Sequence, residues 1–404
     1  MISVEDALKR VLSGLPVMPP ELVSLSDAHA RVLADDVASH RTQPPADVSA
    51  MDGYAVRAAD VAAAPVRLRR IGESAAGKGF EGTLGAGETV RIFTGAPLPA
   101  GADAIVIQEH AETDGSTVTT TESVPPGTYV RPRGLDFNEG DGLLRAGTML
   151  DARAVGLAAA MNVPWISVRR RPRIAILATG DELVMPGEPV GPDQILSSNS
   201  LALGAFVTSL GADALDLGIA GDDAQSLANG LSAARGADML VTIGGASVGD
   251  HDLVRDALGA KGLELDFFRI AMRPGKPLVF GRLGPMPVLG LPGNPVSVGV
   301  TAIIFLAPAI RAMLGMSPAP ASAGWARLGR DLGANDQRQD YLRAALRRDE
   351  DGTLVATPFE TQDSSMLALF AAAGCLVVRA PFAKPAAVGT WVSIIPLGDG
   401  AIPF

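Results

Sequence analysis

A strand-like apolar segment ends in glycines followed by two aspartates, a combination that suits binding of an anion together with a cation. Residues 239–252 read MLVTIGGASVGDHD, and the apolar run stops at the first glycine. The glycines and the hydroxyl donor of this loop are Gly244, Gly245, Ser247 and Gly249. Glycine permits positive φ and leaves backbone N–H groups open to a phosphorylated ligand. Asp250 and Asp252 would repel that ligand unless a cation such as Mg²⁺ lies between them. A tight strand-to-helix turn without a ligand is the alternative interpretation.

Two further loops carry charged residues where strands are expected to end. LATGDEL places Glu182 directly after a predicted strand, and RIAMRPGKPLVF holds the cations Arg269, Arg273 and Lys276. Arginine presents a planar fork to oxyanions and lysine a point charge. The loop therefore suits an oxyanion site, with a solvated charge cluster as the alternative.

Turns that contain proline, aspartate or threonine supply further candidates. Asn294 is expected to cap the long helix that follows GLPGNPVS. Similar turns occur at SAMDGYAV, RIFTGAPLPAG and RPRGLDF. The residues singled out in all these turns are Asp52, Thr94, Asp136, Pro292 and Pro295. By residue type alone they are also ordinary turn formers, so their role stays open at this point.

The elements that must position these loops follow from the rhythm of the chain. Between residues 173 and 291, strand-like and helix-like segments alternate, which predicts a parallel sheet with helices on both faces. Ligands bind outside the carboxyl ends of such strands, so the charged loops are expected to face one cleft. The apolar run at 296–310 is shorter than the ~20 residues of a membrane span and is predicted to be a buried helix.

Differences in texture along the chain predict a multidomain fold of α/β and β type. Residues 1–45 and 141–170 are expected to form an N-terminal helical dimerisation domain, with an inserted β domain at 46–140. Residues 171–318 are expected to form the central parallel-sheet α/β domain, and residues 319–404 a small C-terminal β domain. In that last region, DEDG joins two runs predicted to form a hairpin.

Composition excludes several classes of protein. The chain has 404 residues, of which 47% are hydrophobic, and a net charge of −10, which argues against a broad surface for nucleic acid or an anionic membrane. Cys375 is the single cysteine, so an intrachain disulfide and a cysteine-rich metal site are excluded. This fits a reducing cytoplasm. The N-terminus reads as an amphipathic helix and has no apolar signal-peptide core.

Seven motifs, taken together, resemble the molybdopterin molybdenumtransferase family, to which the C-terminal domain of gephyrin is also similar. In order they are SAMDGYAV, RIFTGAPLPAGADAIV, RPRGLDF, LATGDEL, GGASVGDHD, RPGKP and LPGNPVS. The resemblance implies a central domain of molybdopterin-binding type and Mg²⁺-dependent insertion of molybdenum from molybdate into adenylylated molybdopterin, with release of AMP. It also implies a homodimer whose site lies between the sheet domain of one subunit and the N-terminal region of the other. Docking with molybdopterin adenylyltransferase and with molybdoenzyme-maturation proteins is a further expectation.

Roles for individual residues follow from their positions in the motifs of this resemblance. The implied catalytic residues are Asp52, Asp136, Glu182, Asp222, Asp252 and Lys276. Glu182 and Asp252 are the candidate Mg²⁺ ligands. The implied cofactor-binding residues are Thr94, Gly244, Gly245, Ser247, Gly249, Arg269, Arg273, Pro292, Pro295 and Ser364. Arg269 and Arg273 replace lysines expected in some members, which keeps the charge but changes the contact geometry.

Two other functions are compatible with parts of the sequence. A molybdopterin adenylyltransferase has a similar α/β domain and glycine loop, but its activity typically needs only the sheet domain, whereas this chain carries N-terminal motifs and a C-terminal region as well. A non-catalytic dimeric scaffold of the same fold is the other alternative. The intact acidic positions argue against it.

Overall fold

The computed structural model describes residues 1–245, 259, 262–318 and 324–398, and the chain divides into two compact units. The first unit comprises residues 1–21, 30–34 and 168–404, and the second comprises residues 22–29 and 35–167. Each unit buries hydrophobic cores of its own. The four domain boundaries expected from the sequence stay a prediction.

Six strands of the described residues form the central sheet of the first unit. In spatial order they are Asp213–Ala220, Arg173–Thr179, Met239–Ile243, Met286–Leu291, Pro277–Leu283 and Leu263–Arg269. The first four are parallel neighbours, as predicted, and the last two pair antiparallel. A short turn at Gly284 joins the fifth strand to the fourth, and so short a connection permits only antiparallel pairing.

Helices cover both faces of the central sheet, as the alternation of elements predicts. Ile174 packs in one core with residues of the helix Ser198–Ser209, and its neighbour Ala175 packs in another with residues of the helix Ala224–Ala233. Successive side chains of a strand point to opposite faces, so the two cores lie on opposite sides. The helix predicted at 252–262 lies largely outside the described residues.

The predicted buried helix spans Pro295–Met313 and is confirmed. Its mean hydropathy is 1.9 and 89% of its apolar window is buried inside the molecule, which marks a core helix rather than a membrane span. It runs as Pro295–Thr301, a wider π-helical segment Ala302–Leu306, and Ala307–Met313. The wider segment accommodates Pro308, which lacks an N–H for a regular helical bond. The helix Val4–Leu12 packs against its last part.

A second sheet of the first unit closes on itself into a small barrel. In spatial order its strands are Met272–Arg273, Gln339–Arg348, Leu354–Pro358, Gly324–Leu328, Trp391–Pro396 and Cys375–Arg379. Closure comes from pairing of Cys375–Arg379 with Gln339–Arg348. The DEDG hairpin is confirmed, because Gln339–Arg348 and Leu354–Pro358 pair antiparallel across it. We call this sheet the C-terminal sheet.

The second unit is built on a sheet of short strands, in keeping with the predicted β character of residues 46–140. In spatial order the strands are Ala104–Ile107, Gly53–Val56, Glu88–Ile92, Val66–Ser74, Thr117–Thr120 and Ala111–Thr113. Two small cores flank this sheet. The helix Ala152–Ala160 begins at Asp151, whose carboxylate accepts the Ala154 N–H at 2.9 Å.

Candidate active site

Loops at the carboxyl ends of the central strands line a cleft of about 1110 Å³. This is the edge at which sheets of this type bind ligands. The sequence-predicted residues that line the cleft are Glu182, Asp222, Gly244, Gly245, Arg273, Lys276, Pro292, Pro295 and Ser364. The expectation that the charged loops share a cleft is therefore met for these residues. Ser247, Gly249 and Asp252 lie outside the described residues.

The glycine turn is shaped by close approach of two strand ends. Gly244 has a φ of +90°, and a Cβ built on it would lie 2.7 Å from the Thr179 carbonyl oxygen. Its N–H donates to the Leu291 carbonyl at 3.1 Å, which joins the turn to the next strand. Gly245 also has positive φ, at +65°. A side chain at position 244 would collide with backbone, so the turn needs glycine whether or not a ligand binds.

Two carboxylates form the acidic side of the cleft. Glu182 and Asp222 both line it and are exposed. The Asp222 N–H donates to the Asp181 carboxylate at 2.9 Å, which ties together the loops that follow two neighbouring strands. The two acids thus come from different loops held in a fixed relation.

The cationic side of the cleft contains two of the three predicted cations. Arg273 and Lys276 line it, whereas Arg269 is absent from the described lining. Arg269 ends the edge strand, and its guanidinium lies 5.1 Å from the centre of the Phe268 ring. The chain reverses between Arg269 and its antiparallel partner Pro277. Sequence proximity to Arg273 therefore does not place Arg269 on the cleft wall.

Arg338 is a third cation of the cleft that sequence reasoning missed. It follows a loop of the C-terminal region and donates to Asp336, with Nη2 2.6 Å from Oδ2. These hydrogen bonds lower the pKa of Asp336 to about 2, so this carboxylate is ionised at neutral pH. The dense charges of NDQRQDY were the available signal, but no motif of the resemblance covers them.

A C-terminal segment closes the remaining wall through Ser364. The Ser364 hydroxyl accepts from the Asn294 side chain at 2.8 Å, and its carbonyl accepts the Val296 N–H at 3.0 Å. Asn294 does occupy the predicted N-cap position, but its side chain makes no capping bond. The helix N–H is satisfied by Ser364 instead, which frees the Asn294 amide to hold the segment in place.

The same segment is anchored from beneath by buried Arg343. Gln362 accepts the Arg343 N–H at 2.9 Å and donates to its carbonyl at 2.9 Å. The Arg343 guanidinium donates to the Asp363 carbonyl at 2.8 Å. Burial lowers the pKa of Arg343. Residues 362–365 are thereby fixed to the C-terminal sheet.

The predicted residues of the N-terminal half lie in the second unit. One Asp52 carboxylate oxygen accepts both the N–H and the hydroxyl of Thr94, at 2.7 and 2.8 Å. These bonds lower the pKa of Asp52. The Asp136 N–H donates to the Gln43 carbonyl at 3.0 Å. Two residues singled out separately from the sequence, Asp52 and Thr94, therefore form one polar group.

Three consecutive parts of the chain match known families. Residues 2–162 match the MoeA N-terminal region (domain I and II), and residues 175–312 match a probable molybdopterin binding domain. Residues 325–397 match the MoeA C-terminal region (domain IV). The order of these matches follows the order of the seven motifs.

Individual relatives agree over almost the whole length. A molybdopterin molybdenumtransferase of Nostoc sp. is 38% identical over 364 residues, covering 86% of this chain and 82% of that protein. The one from Haemophilus influenzae is 31% identical over 404 residues, with 98% of each covered. The crystal structure of the molybdopterin biosynthesis MoeA protein from Pyrococcus horikosii has a TM-score of 0.85 at 31% identity, covering 98% of this chain and 99% of that one. Because sequence and fold agree across the full set of regions, the chain belongs to the molybdopterin molybdenumtransferase family.

Proposed function

We propose that the chain inserts molybdenum from molybdate into adenylylated molybdopterin and releases AMP and molybdenum cofactor. The observation that carries this proposal is the cleft, which joins Glu182 and Asp222 to Arg273 and Lys276 beside the glycine turn. The relatives described above are molybdopterin molybdenumtransferases. The chemistry of the cleft suits the same reaction.

The substrates are anions, so the cleft must offset their mutual repulsion. Molybdate is a dianion, and adenylylated molybdopterin carries a phosphoanhydride and a dithiolate. Arg273 and Lys276 supply positive charge, and the turn at Gly244 supplies backbone N–H groups at the strand end. The volume of about 1110 Å³ suits a large ligand, since typical ligand pockets measure roughly 300–1,000 Å³.

The acidic residues fit a Mg²⁺ ion that binds together with phosphate. In the ranges that the structure describes, no group of three or more His, Cys, Asp or Glu residues is arranged to hold a metal ion. Mg²⁺ commonly uses one or two carboxylates, several waters and substrate phosphates, so Glu182 and Asp222 suffice on the protein side, with Asp252 as the further candidate. When bound, Mg²⁺ would neutralise charge on the phosphoanhydride.

The chain's own groups then divide the work. Glu182 and Asp222 orient a water molecule toward the phosphoanhydride, and Lys276 stabilises the charge that develops on the departing AMP phosphate. Ser364 and Asn294, joined by their hydrogen bond, shape the wall opposite the acids. The dithiolate sulfurs belong to the substrate, so the reaction needs no protein thiol.

We include a homodimer in this proposal, in which Asp52, Thr94 and Asp136 of one subunit complete the cleft of the other. The Asp52 carboxylate supports this role because Thr94 fixes it through one oxygen, while the other oxygen makes no hydrogen bond within the described part of the chain. Co-expressed subunits carrying Asp52→Asn and Lys276→Met would then form mixed dimers with one intact site each. Recovery of up to half the activity of wild type per mixed dimer is expected, and none would contradict a shared site.

Cytoplasmic action and docking with molybdopterin adenylyltransferase and molybdoenzyme-maturation proteins complete the proposal. The core activity is tested by incubating the purified chain with adenylylated molybdopterin, molybdate and Mg²⁺. AMP and active cofactor should appear together and depend on molybdate. Consumption of ATP with free molybdopterin would instead identify an adenylyltransferase. A folded chain that binds the pterin without any AMP release would indicate a scaffold.

A further inference from the structure

The cationic loop of the cleft is built into the C-terminal sheet. The strand Met272–Arg273 pairs in parallel with Gln339–Arg348, and Arg273 is the register partner of Asp340. The Gln339 N–H donates to the Ala271 carbonyl at 2.9 Å, which extends the same ladder. The position of Arg273 in the cleft is therefore set by the C-terminal sheet as well as by its own loop.

Asp340 holds the Arg273 guanidinium from behind. One of its carboxylate oxygens accepts from Arg273 Nη2, and only 4% of the Asp340 side chain is exposed. The other oxygen is buried and has no hydrogen-bond partner within the described residues. A buried carboxylate with an unsatisfied oxygen is costly unless a neighbouring charge compensates it. Arg273 supplies that charge, so the pair depends on both members.

Asp336 links the second arginine of the cleft to the first. It binds Arg338 through both carboxylate oxygens, and its Oδ2 lies 3.6 Å from Arg273 Nη1. Asn335 makes the loop rigid, since its amide donates to three carbonyls and accepts the Asp336 N–H at 2.9 Å. Both guanidinium groups are thus held by carboxylates from one rigid loop and the strand after it.

We propose that Asp336 and Asp340 are positioning residues that make the oxyanion site selective for molybdate over smaller dianions such as sulfate. This inference rests on the proposed function. Of the three cations in the cleft, Arg273 and Arg338 are paired, whereas Lys276 forms no ion pair among the described residues. The two carboxylates lower the net positive charge and fix the direction of each fork.

The physical consequence is a trade of affinity for discrimination. Three unpaired, mobile cations would bind any dianion tightly, because attraction depends on charge and adapts to size. Cations held by Asp336 and Asp340 attract less strongly and present fixed N–H directions, so an anion of the wrong radius loses contacts. Sulfate and molybdate share charge and tetrahedral shape and differ chiefly in size, which makes them a suitable pair of probes.

Calorimetric titration of the full chain with sulfate and with molybdate, without nucleotide, tests the inference. Asp336→Asn and Asp340→Asn each remove a negative charge near the site while keeping the side-chain shape. Such a charge opposes a neighbouring anion by roughly tenfold or more in affinity. We expect sulfate to bind about tenfold more tightly in both variants, while molybdate affinity changes less than about threefold. The ratio of the two dissociation constants should fall accordingly.

A matched control is Asp349→Asn, since Asp349 pairs with Arg347 on the exposed end of the same strand. It should leave both affinities at the wild-type value. Asp336 is about half exposed, so Asp336→Asn decides the matter alone if the buried Asp340 variant fails to fold. An unchanged sulfate-to-molybdate ratio in folded Asp336→Asn, parallel changes for both anions, or no anion binding by any protein would overturn the inference.

Turnover measurements separate this inference from the proposed function. With adenylylated molybdopterin, the variants should show a lower kcat and stronger inhibition by sulfate, at an unchanged KM for the nucleotide substrate. A merely structural role would instead alter all constants together. If wild type binds the anions selectively but releases no AMP, the proposed function fails and the selectivity stands. If AMP is released but the ratio is unaltered in Asp336→Asn, only the selectivity fails.

Discussion

Replacing Gly244 by alanine tests the glycine turn on which the cleft depends. Two separate penalties act at this position. The φ of +90° disfavours any residue with a Cβ, and the new Cβ would lie 2.7 Å from the Thr179 carbonyl oxygen. Because that oxygen belongs to a central strand packed on both faces, it cannot move aside as a flexible side chain would.

Gly187 provides a control that isolates the collision. Its φ is +96°, and a Cβ there would meet nothing within 4 Å. Positive φ costs about 1–2 kcal/mol for a non-glycine residue, and this applies to both positions. Overpacking typically costs a further 1–3 kcal/mol, and this applies to position 244 alone. Gly244→Ala should therefore destabilise the chain by about 2–5 kcal/mol and Gly187→Ala by about 1–2 kcal/mol.

The assay is urea unfolding of both variants followed by circular dichroism, together with AMP release at a temperature where both stay folded. A larger loss of stability and a loss of turnover are expected only for Gly244→Ala, since a relaxed Thr179 would displace the turn. Equal destabilisation of the two variants would refute the collision argument. Full activity of Gly244→Ala would refute the dependence of the cleft on this turn.

Three other predictions use the same cleft. Lys276→Met should lower the rate of AMP release by about a hundredfold or more, and Lys276→Arg by less, because a charge near the leaving phosphate is lost or kept; equal rates in single-turnover assays would remove Lys276 from the site. Asn294→Ala should cost about 1 kcal/mol in urea unfolding, since it deletes the 2.8 Å bond to Ser364, and a wild-type midpoint would show that the Ser364 carbonyl alone holds the segment. The pKa of Asp336 lies at about 2 instead of 3.8, so its pairing stabilises the fold above pH 3.8 and is lost as the pH falls through about 2; the difference in unfolding midpoint between wild type and Asp336→Asn should shrink over that interval, and a difference that grows would reverse the sign.

Much of the cleft could be predicted because its chemistry lies at the ends of recognisable strands. Gly244, Glu182 and Lys276 each follow an apolar run, and parallel strands bring their carboxyl ends to one edge. The buried helix Pro295–Met313 and the DEDG hairpin were likewise visible as a run of apolar residues and a turn sequence. These signals are local, since they reflect the backbone preferences and burial of neighbouring residues.

What the sequence determined by itself was the set of elements, the edge at which charges gather, and the family to which the motifs belong. The tertiary structure decided which of those charges meet. Arg273 pairs with Asp340 across 67 residues, and Asn294 binds Ser364 across 70. Arg269 lies outside the described cleft lining although only four residues separate it from Arg273. Such pairings depend on how the C-terminal sheet aligns with the cationic loop, which is a collective result of packing that no short pattern of residues encodes.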